Sequence, residues 1–417
     1  MHIRTTQRAR AHSPRRLLAA AGLATAAAIA LAGCSSAEAP VDTESAPAPA
    51  PAETSAGAAT GEAGTRLALA YDGGIAVLDA ATLEQVADLP IEGFNRLNTA
   101  GDGEHVFVTT VGGFQVLATG ASGGEAELTD TVIEATTPAH VVRHAGSTVL
   151  FDDGTGDFHI FDTDALLETE GVPEMRSFES EAAHHGVAVE LEDGTILSTL
   201  GDSESRSGVR ALDDHGHEVA RFEECPSVHG EGVVGDEAVV FGCEDGVLTY
   251  VDGEFVKIDS PDDFGRVGNT YTTDSSTIAV VDYKDDPDAE GVLLENLAFV
   301  DPAASTMDVL ALPEGVSYTW RGVGRDDAGD AWVIGTDGAL HHVDVEAQEI
   351  VASYPVIDAW EGPAEWQLPH PALLIDGDAA IVTDPATNSV HRVDLATGEI
   401  LTSGEIAGQP NELALAG

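Results

Sequence analysis

From Arg66 onward the apolar residues come in short runs broken by Gly, Asp, Pro and Ser, without the three-and-four spacing of an amphipathic helix. Such runs read as strands. One unit recurs: a polar or Pro-containing lead-in, a short strand, a turn, an apolar strand, Asp/Gly turn residues, then two more strands. The runs His105–Val111, Thr148–Phe151, Thr195–Leu200, Ala238–Gly242, Thr277–Tyr283, Ala331–Gly335 and Ala379–Thr383 are expected as second strands. Third strands ending in Asp follow at Phe158–Asp162, Val209–Asp213, Leu297–Asp301, Leu340–Asp344 and Val390–Asp394. A four-stranded antiparallel unit repeated along the chain predicts sheets that each cover the next.

Seven units are complete and an eighth is split. Arg66–Tyr71 and Gly74–Asp79 look like second and third strands lacking a first, and Glu412–Ala416 is a first strand with nothing after it. Pairing the two ends completes a blade and removes the open sheet edges. The expected fold is therefore all-β, an eight-bladed β-propeller closed by its C-terminal strand, with seven blades as the fallback.

Ahead of the repeats, Arg4, Arg8, Arg10, Arg15 and Arg16 precede the apolar stretch Leu17–Ala32, with no acidic residue among them. This reads as a secretory signal over 1–33. It ends on Leu31-Ala32-Gly33-Cys34, the pattern that precedes a lipid-modified cysteine. Residues 34–64, rich in Ala, Pro, Ser, Glu, Thr and Gly, cannot bury enough apolar surface to fold and form a tether. The propeller domain is expected over 65–417. An extracytoplasmic lipoprotein held to the cell membrane through Cys34 follows.

The net charge is -55, and losing the signal's five Arg takes it to about -60. Repulsion from phosphates excludes nucleic acid as a partner. Nothing in the chain calls for self-association, and a monomer is expected.

Candidate chemistry sits in the lead-ins, which in a propeller converge on the axis. Aligned on their second strands, Thr137-Pro138-Ala139-His140, Glu181-Ala182-Ala183-His184-His185-Gly186, Cys225-Pro226-Ser227-Val228-His229-Gly230 and Leu368-Pro369-His370-Pro371 carry His at one place in the repeat. Neutral imidazoles are preferred zinc ligands, three or four to an ion. Affinity order alone would also admit copper. His370 belongs roughly across the channel from His185, so a carboxylate, Glu231 or Asp152, or His184 in place of His185, is an alternative last ligand. A possible secondary site is Asp214, His215 and His217 in an Asp-rich turn. His341-His342, within one strand, point to opposite faces and cannot chelate together. Cys225 and Cys243 lie nearly symmetrically about the turn near Gly235, which predicts a disulfide in an oxidising compartment.

These lead-ins, together with Phe241-Gly242-Cys243 and Glu231, resemble the AztD-type zinc metallochaperones along the whole propeller. The resemblance implies zinc bound near the axis, on ligands drawn from His140, His184 or His185, His229 and His370. It also implies delivery to the solute-binding protein of a zinc ABC importer. The tether departs from the family in carrying no His, which leaves His215 and His217 as the substitute for an N-terminal second site. No haem-attachment motif or nucleophile elbow is present, the lead-ins are rich in nitrogen rather than in calcium-binding oxygens, and no enzyme activity is expected. A metal-free interaction propeller and a zinc-dependent propeller hydrolase are the competing readings.

Overall fold

The computed structural model describes residues 63–417 except Glu170 and Asp236. The signal peptide, Cys34 and nearly all of the tether lie outside the described residues. Eight antiparallel sheets of four main-path strands each follow one another in the chain. Blade 1 joins the two ends, its strands being Leu413–Ala416, Arg66–Tyr71, Gly74–Asp79 and Gln85–Pro90 from first to fourth. Blades 2 to 5 begin with Leu97–Thr99, Pro138–His144, Ala188–Glu190 and His229–Val234. Blades 6 to 8 begin with Thr270–Tyr271, Val323–Arg325 and Leu373–Asp376. First strands of neighbouring blades touch around much of the ring, and Ile381 and Val390 of blade 8 pack on Leu67 and Leu69 of blade 1. The propeller has eight blades, and the seven-bladed fallback is excluded.

Closure rests on the register Leu67↔Leu415, Ala68↔Ala414 and Leu69↔Leu413. Leu67 and Leu69 are wholly buried, and each such side chain contributes roughly 1.5–3 kcal/mol through burial. The split repeat in the sequence is thus one sheet in space.

Second and third strands are covered on both faces by adjacent blades. Ala279–Tyr283 and Ala331–Ile334 are buried at every position, which is why they appear as unbroken apolar runs. Fourth strands face solvent on one side and alternate, as Glu349–Pro355 does. The Asp that ends third strands has a local cause. Asp79 Oδ1 accepts from Ala81 N and Thr82 N at 3.1 and 2.9 Å, and Asp344 and Asp394 accept from Ala347 N and Thr397 N at 2.8 Å. Each carboxylate closes the turn into the fourth strand.

Cys225 and Cys243 form a disulfide with Cα atoms 5.0 Å apart. It closes an 18-residue separation and ties the lead-in of blade 5 to that blade's second strand. Among the described residues no helix is long and apolar enough to cross a membrane.

Candidate metal centre

The lead-ins place one or two side chains per blade around one end of the channel. In ring order these are Glu412, Arg96, His140, His185, His229, Asn269, then Trp320 with Arg321, and Trp366 with His370. Seven of them, Arg96, His140, His185, His229, Asn269, Trp320 and Trp366, line a cavity of about 290 Å³. The three histidines occupy consecutive blades and form one arc.

Local backbone irregularity aims the arc inward. The register of blade 3 shifts between Pro138 and Val141, and that of blade 5 between His229 and Glu231. These bulges turn His140 and His229 out of the regular pleat. Gly230 makes the second one possible: its φ is +68°, and a Cβ there would lie 2.6 Å from the Gly268 carbonyl oxygen. Gly186, after His185, is similarly confined, because a Cβ would collide with Thr199 Oγ1 and with the Phe151 ring.

Ring centroids lie 5.1 Å apart for His140 and His185, 5.5 Å for His140 and His229, and 5.0 Å for His185 and His229. One nitrogen from each ring lies within 4.8 Å of the others. The outward nitrogens are fixed by acceptors. His185 Nδ1 is 2.5 Å from Asp153 Oδ2, and His229 Nδ1–H donates to the Gly268 carbonyl. Both acceptors call for the proton on Nδ1, so both Nε2 lone pairs face the cavity, 3.0 Å apart. Zn–N bonds of about 2.0–2.1 Å at tetrahedral angles put ligand nitrogens about 3.3 Å apart, close to this spacing.

The surroundings keep His140 and His229 neutral. Burial, then the neighbouring His229 and His185, then Arg96 and Arg206 hold His140 well below the usual imidazole range. Burial is the largest cause lowering His229 to about 3, against the opposing bond to Gly268. Neutral imidazole is the form that ligates metal.

The other expected ligands fall elsewhere. His184 turns into the wall, with Nδ1 2.9 Å from the Ala182 carbonyl, Nε2 3.1 Å from Thr199 Oγ1, and its ring edge-on to Phe151. Only His185 of the two reaches the arc. His370 is buried across the ring in blade 8, with Nδ1–H donating to the Leu368 carbonyl at 2.7 Å. Glu231 and Asp152 are not within the converging set. Burial raises the Glu231 carboxyl to about 8. Asp152 is occupied by Thr136 N, Thr137 N and Gly154 N at 2.7, 2.7 and 2.9 Å. In the Asp-rich turn, His217 Nδ1 lies 3.0 Å from Asp213 and His215 Nδ1 lies 3.8 Å from Asp214, without convergence.

Two features had no reading in the sequence. Asp153, next to Asp152, holds His185; its signal is only its place at the end of the preceding blade's second strand. Asp326, Asp330 and His342 also converge, but their atoms are already engaged. Asp326 Oδ2 accepts from Trp332 Nε1 at 2.7 Å, Asp330 Oδ2 is 2.7 Å from His342 Nε2, and His342 stacks on Trp332 at 4.2 Å. That cluster braces a turn of blade 7.

No protein-family model matches the chain. The zinc chaperone AztD of Citrobacter koseri is 24% identical over 366 residues, spanning 82% of this chain and 83% of that protein. Two solved structures of AztD from that organism, one described as apo, each superpose with a TM-score of 0.72 at 22% identity, over 84% of this chain and 97% of theirs. The dihydro-heme d1 dehydrogenase NirN in complex with DHE shares the fold alone, with a TM-score of 0.54 at 13% identity over 84% and 74% of the two chains. By sequence similarity along most of both chains, and by fold, this protein is a relative of the AztD type that its histidine-bearing lead-ins resemble.

Proposed function

We propose that this chain is an extracytoplasmic zinc carrier that holds the ion on His140, His185 and His229 and passes it to the solute-binding protein of a zinc ABC importer. The observation that carries the reading is the pair of Nε2 lone pairs facing each other at 3.0 Å, with His140 completing the arc. Two acceptors so aimed repel unless a cation lies between them. Three imidazole ligands suit zinc, and the similarity to the zinc chaperone AztD supports that metal.

The donor set also suits transfer. Three protein ligands leave a fourth position open to solvent, where a ligand from a receiving protein can bind before a histidine lets go. Asp153 and the Gly268 carbonyl keep the empty rings in ligating orientation. A lipid on Cys34 and the tether to residue 64 would confine this exchange to a shell near the membrane, raising the carrier's effective concentration around the importer.

The test is metal analysis of the untreated protein, followed by competition titration of the wild type and of the variant with His140, His185 and His229 all replaced by Ala. The wild type should carry about one zinc and give it up to the solute-binding protein. The variant should fold and bind none. A triple variant with unchanged zinc affinity overturns the site. A wild type that keeps its zinc beside the solute-binding protein overturns the delivery, and zinc-dependent hydrolysis of ester or lactone probes would turn the reading toward an enzyme.

A further inference from the structure

Opposite the histidine arc the cavity wall is cationic, an unexpected surrounding for a divalent ion on a protein with 73 acidic and 18 basic residues. Two guanidinium groups, Arg96 and Arg321, share one carboxylate. Arg321 pairs directly with Glu412 and both are buried, whereas Arg96 Nε stands 3.9 Å from Glu412 Oε2. Glu412 is thus taken up by Arg321, and Arg96 keeps only the longer contact to it.

Arg96 is built in place. Its guanidinium lies over Trp320 at 5.2 Å and near Trp366 at 6.0 Å, and its Nε is buried with no hydrogen-bond partner. The same cavity holds the three histidines, both indoles and Arg96. Its volume of about 290 Å³ far exceeds the roughly 30 Å³ of a water molecule. An ion completed by one water leaves room in it for a larger ligand, and it shares the cavity with Arg96, whose carboxylate partner Glu412 is already engaged by Arg321.

Resting on the zinc reading above, we propose that the cavity takes a small organic carboxylate together with zinc. One carboxylate oxygen displaces water from the fourth position on the ion, Arg96 balances the anion's charge, and its carbon skeleton lies against Trp320 and Trp366. Guanidinium groups bind carboxylates through paired N–H donors, and the indoles supply apolar walls. The bound form of the cargo is then zinc with its counter-ion.

The experiment is a competition titration of zinc in carboxylate-free buffer with and without succinate, corrected for zinc succinate in solution. Succinate should tighten zinc binding to the wild type by about fivefold or more, and zinc should tighten succinate binding by the same factor. Arg96→Gln should lose that gain and bind zinc more tightly than wild type when succinate is absent, since a charge facing the ion is gone. Arg96→Lys, which keeps the charge, should retain part of the gain and serves if the Gln variant does not fold. In zinc-free protein, succinate should change the tryptophan fluorescence of the wild type but not of Arg96→Gln. A wild type that holds zinc but is blind to succinate, or an equal gain in Arg96→Gln, overturns the proposal. So does a gain confined to carboxylates presented by the receiving protein. A wild type that binds no zinc overturns the reading beneath, and the zinc-free fluorescence titration then decides the anion site alone.

Discussion

His185 Nε2 and His229 Nε2 lie 3.0 Å apart across a blade boundary, although 44 positions separate them in the chain. Each ring has its other nitrogen committed to an acceptor, so neither can turn a proton toward its neighbour without breaking that bond. Zinc should therefore stabilise the fold measurably. At free zinc about a hundredfold above Kd the gain is about 2.7 kcal/mol, read as a rise in Tm. His229→Ala should abolish the rise. A rise of full size in that variant would place the ion elsewhere, with Asp326, Asp330 and His342 the first cluster to examine.

Adjacent aspartates should separate orientation from support. Asp153 Oδ2 holds His185 Nδ1 at 2.5 Å, so Asp153→Asn should weaken zinc about 10–100-fold with little change in zinc-free stability. Asp152 accepts three backbone N–H groups, so Asp152→Asn should cost about 1–3 kcal/mol of stability. Chelator competition and urea unfolding on both variants check this, and equal effects on zinc would remove the special role of Asp153.

That contrast marks what was legible in the sequence. Strand periodicity, the split blade and the Asp-terminated third strands showed the propeller because each follows from local physics: burial on two faces, closure of an edge, an Asx turn. The histidines stood out because a repeat converts sequence phase into position around the ring. Phase could not say which of His184 and His185 faces inward, since that depends on one residue of backbone twist. The order of the blades did place His370 across the channel from His185, because its phase matches the arc while its blade lies opposite. Asp153 was hidden by Asp152, which has the same chemistry one residue away and points into a turn.

Gly230 is a sharper test of the bulge. Gly230→Ala meets both the unfavourable φ of +68° and a Cβ 2.6 Å from the Gly268 oxygen, the atom that orients His229. The expected loss is about 1 kcal/mol or more, with zinc affinity falling at the same time. Unchanged zinc affinity in a destabilised Gly230→Ala would mean that the bulge does not position His229.

Acid should destabilise the zinc-free protein partly through a histidine outside the arc. His370 is buried beside Arg321, and burial first, then that charge, lowers it to about 4, against the opposing bond to the Leu368 carbonyl. An unfolded chain binds this proton near pH 6.5, so between about 6.5 and 4 the unfolded state holds more protons and stability falls as pH falls. The slope from one such residue is at most about 1.4 kcal/mol per pH unit, on the order of 3 kcal/mol across the window. Below about 4 the folded state is protonated as well and this contribution levels off. His229, lowered to about 3, acts in the same direction until zinc occupies it. Because the many carboxylates titrate in both proteins, the informative quantity is the difference between wild type and His370→Gln in urea unfolding at successive pH values. That difference should shift in favour of the variant as pH drops from 6.5 to 4 and then stay level. Parallel curves through this window would mean that His370 carries its proton in the folded state and that its burial beside Arg321 is compensated by something other than neutrality.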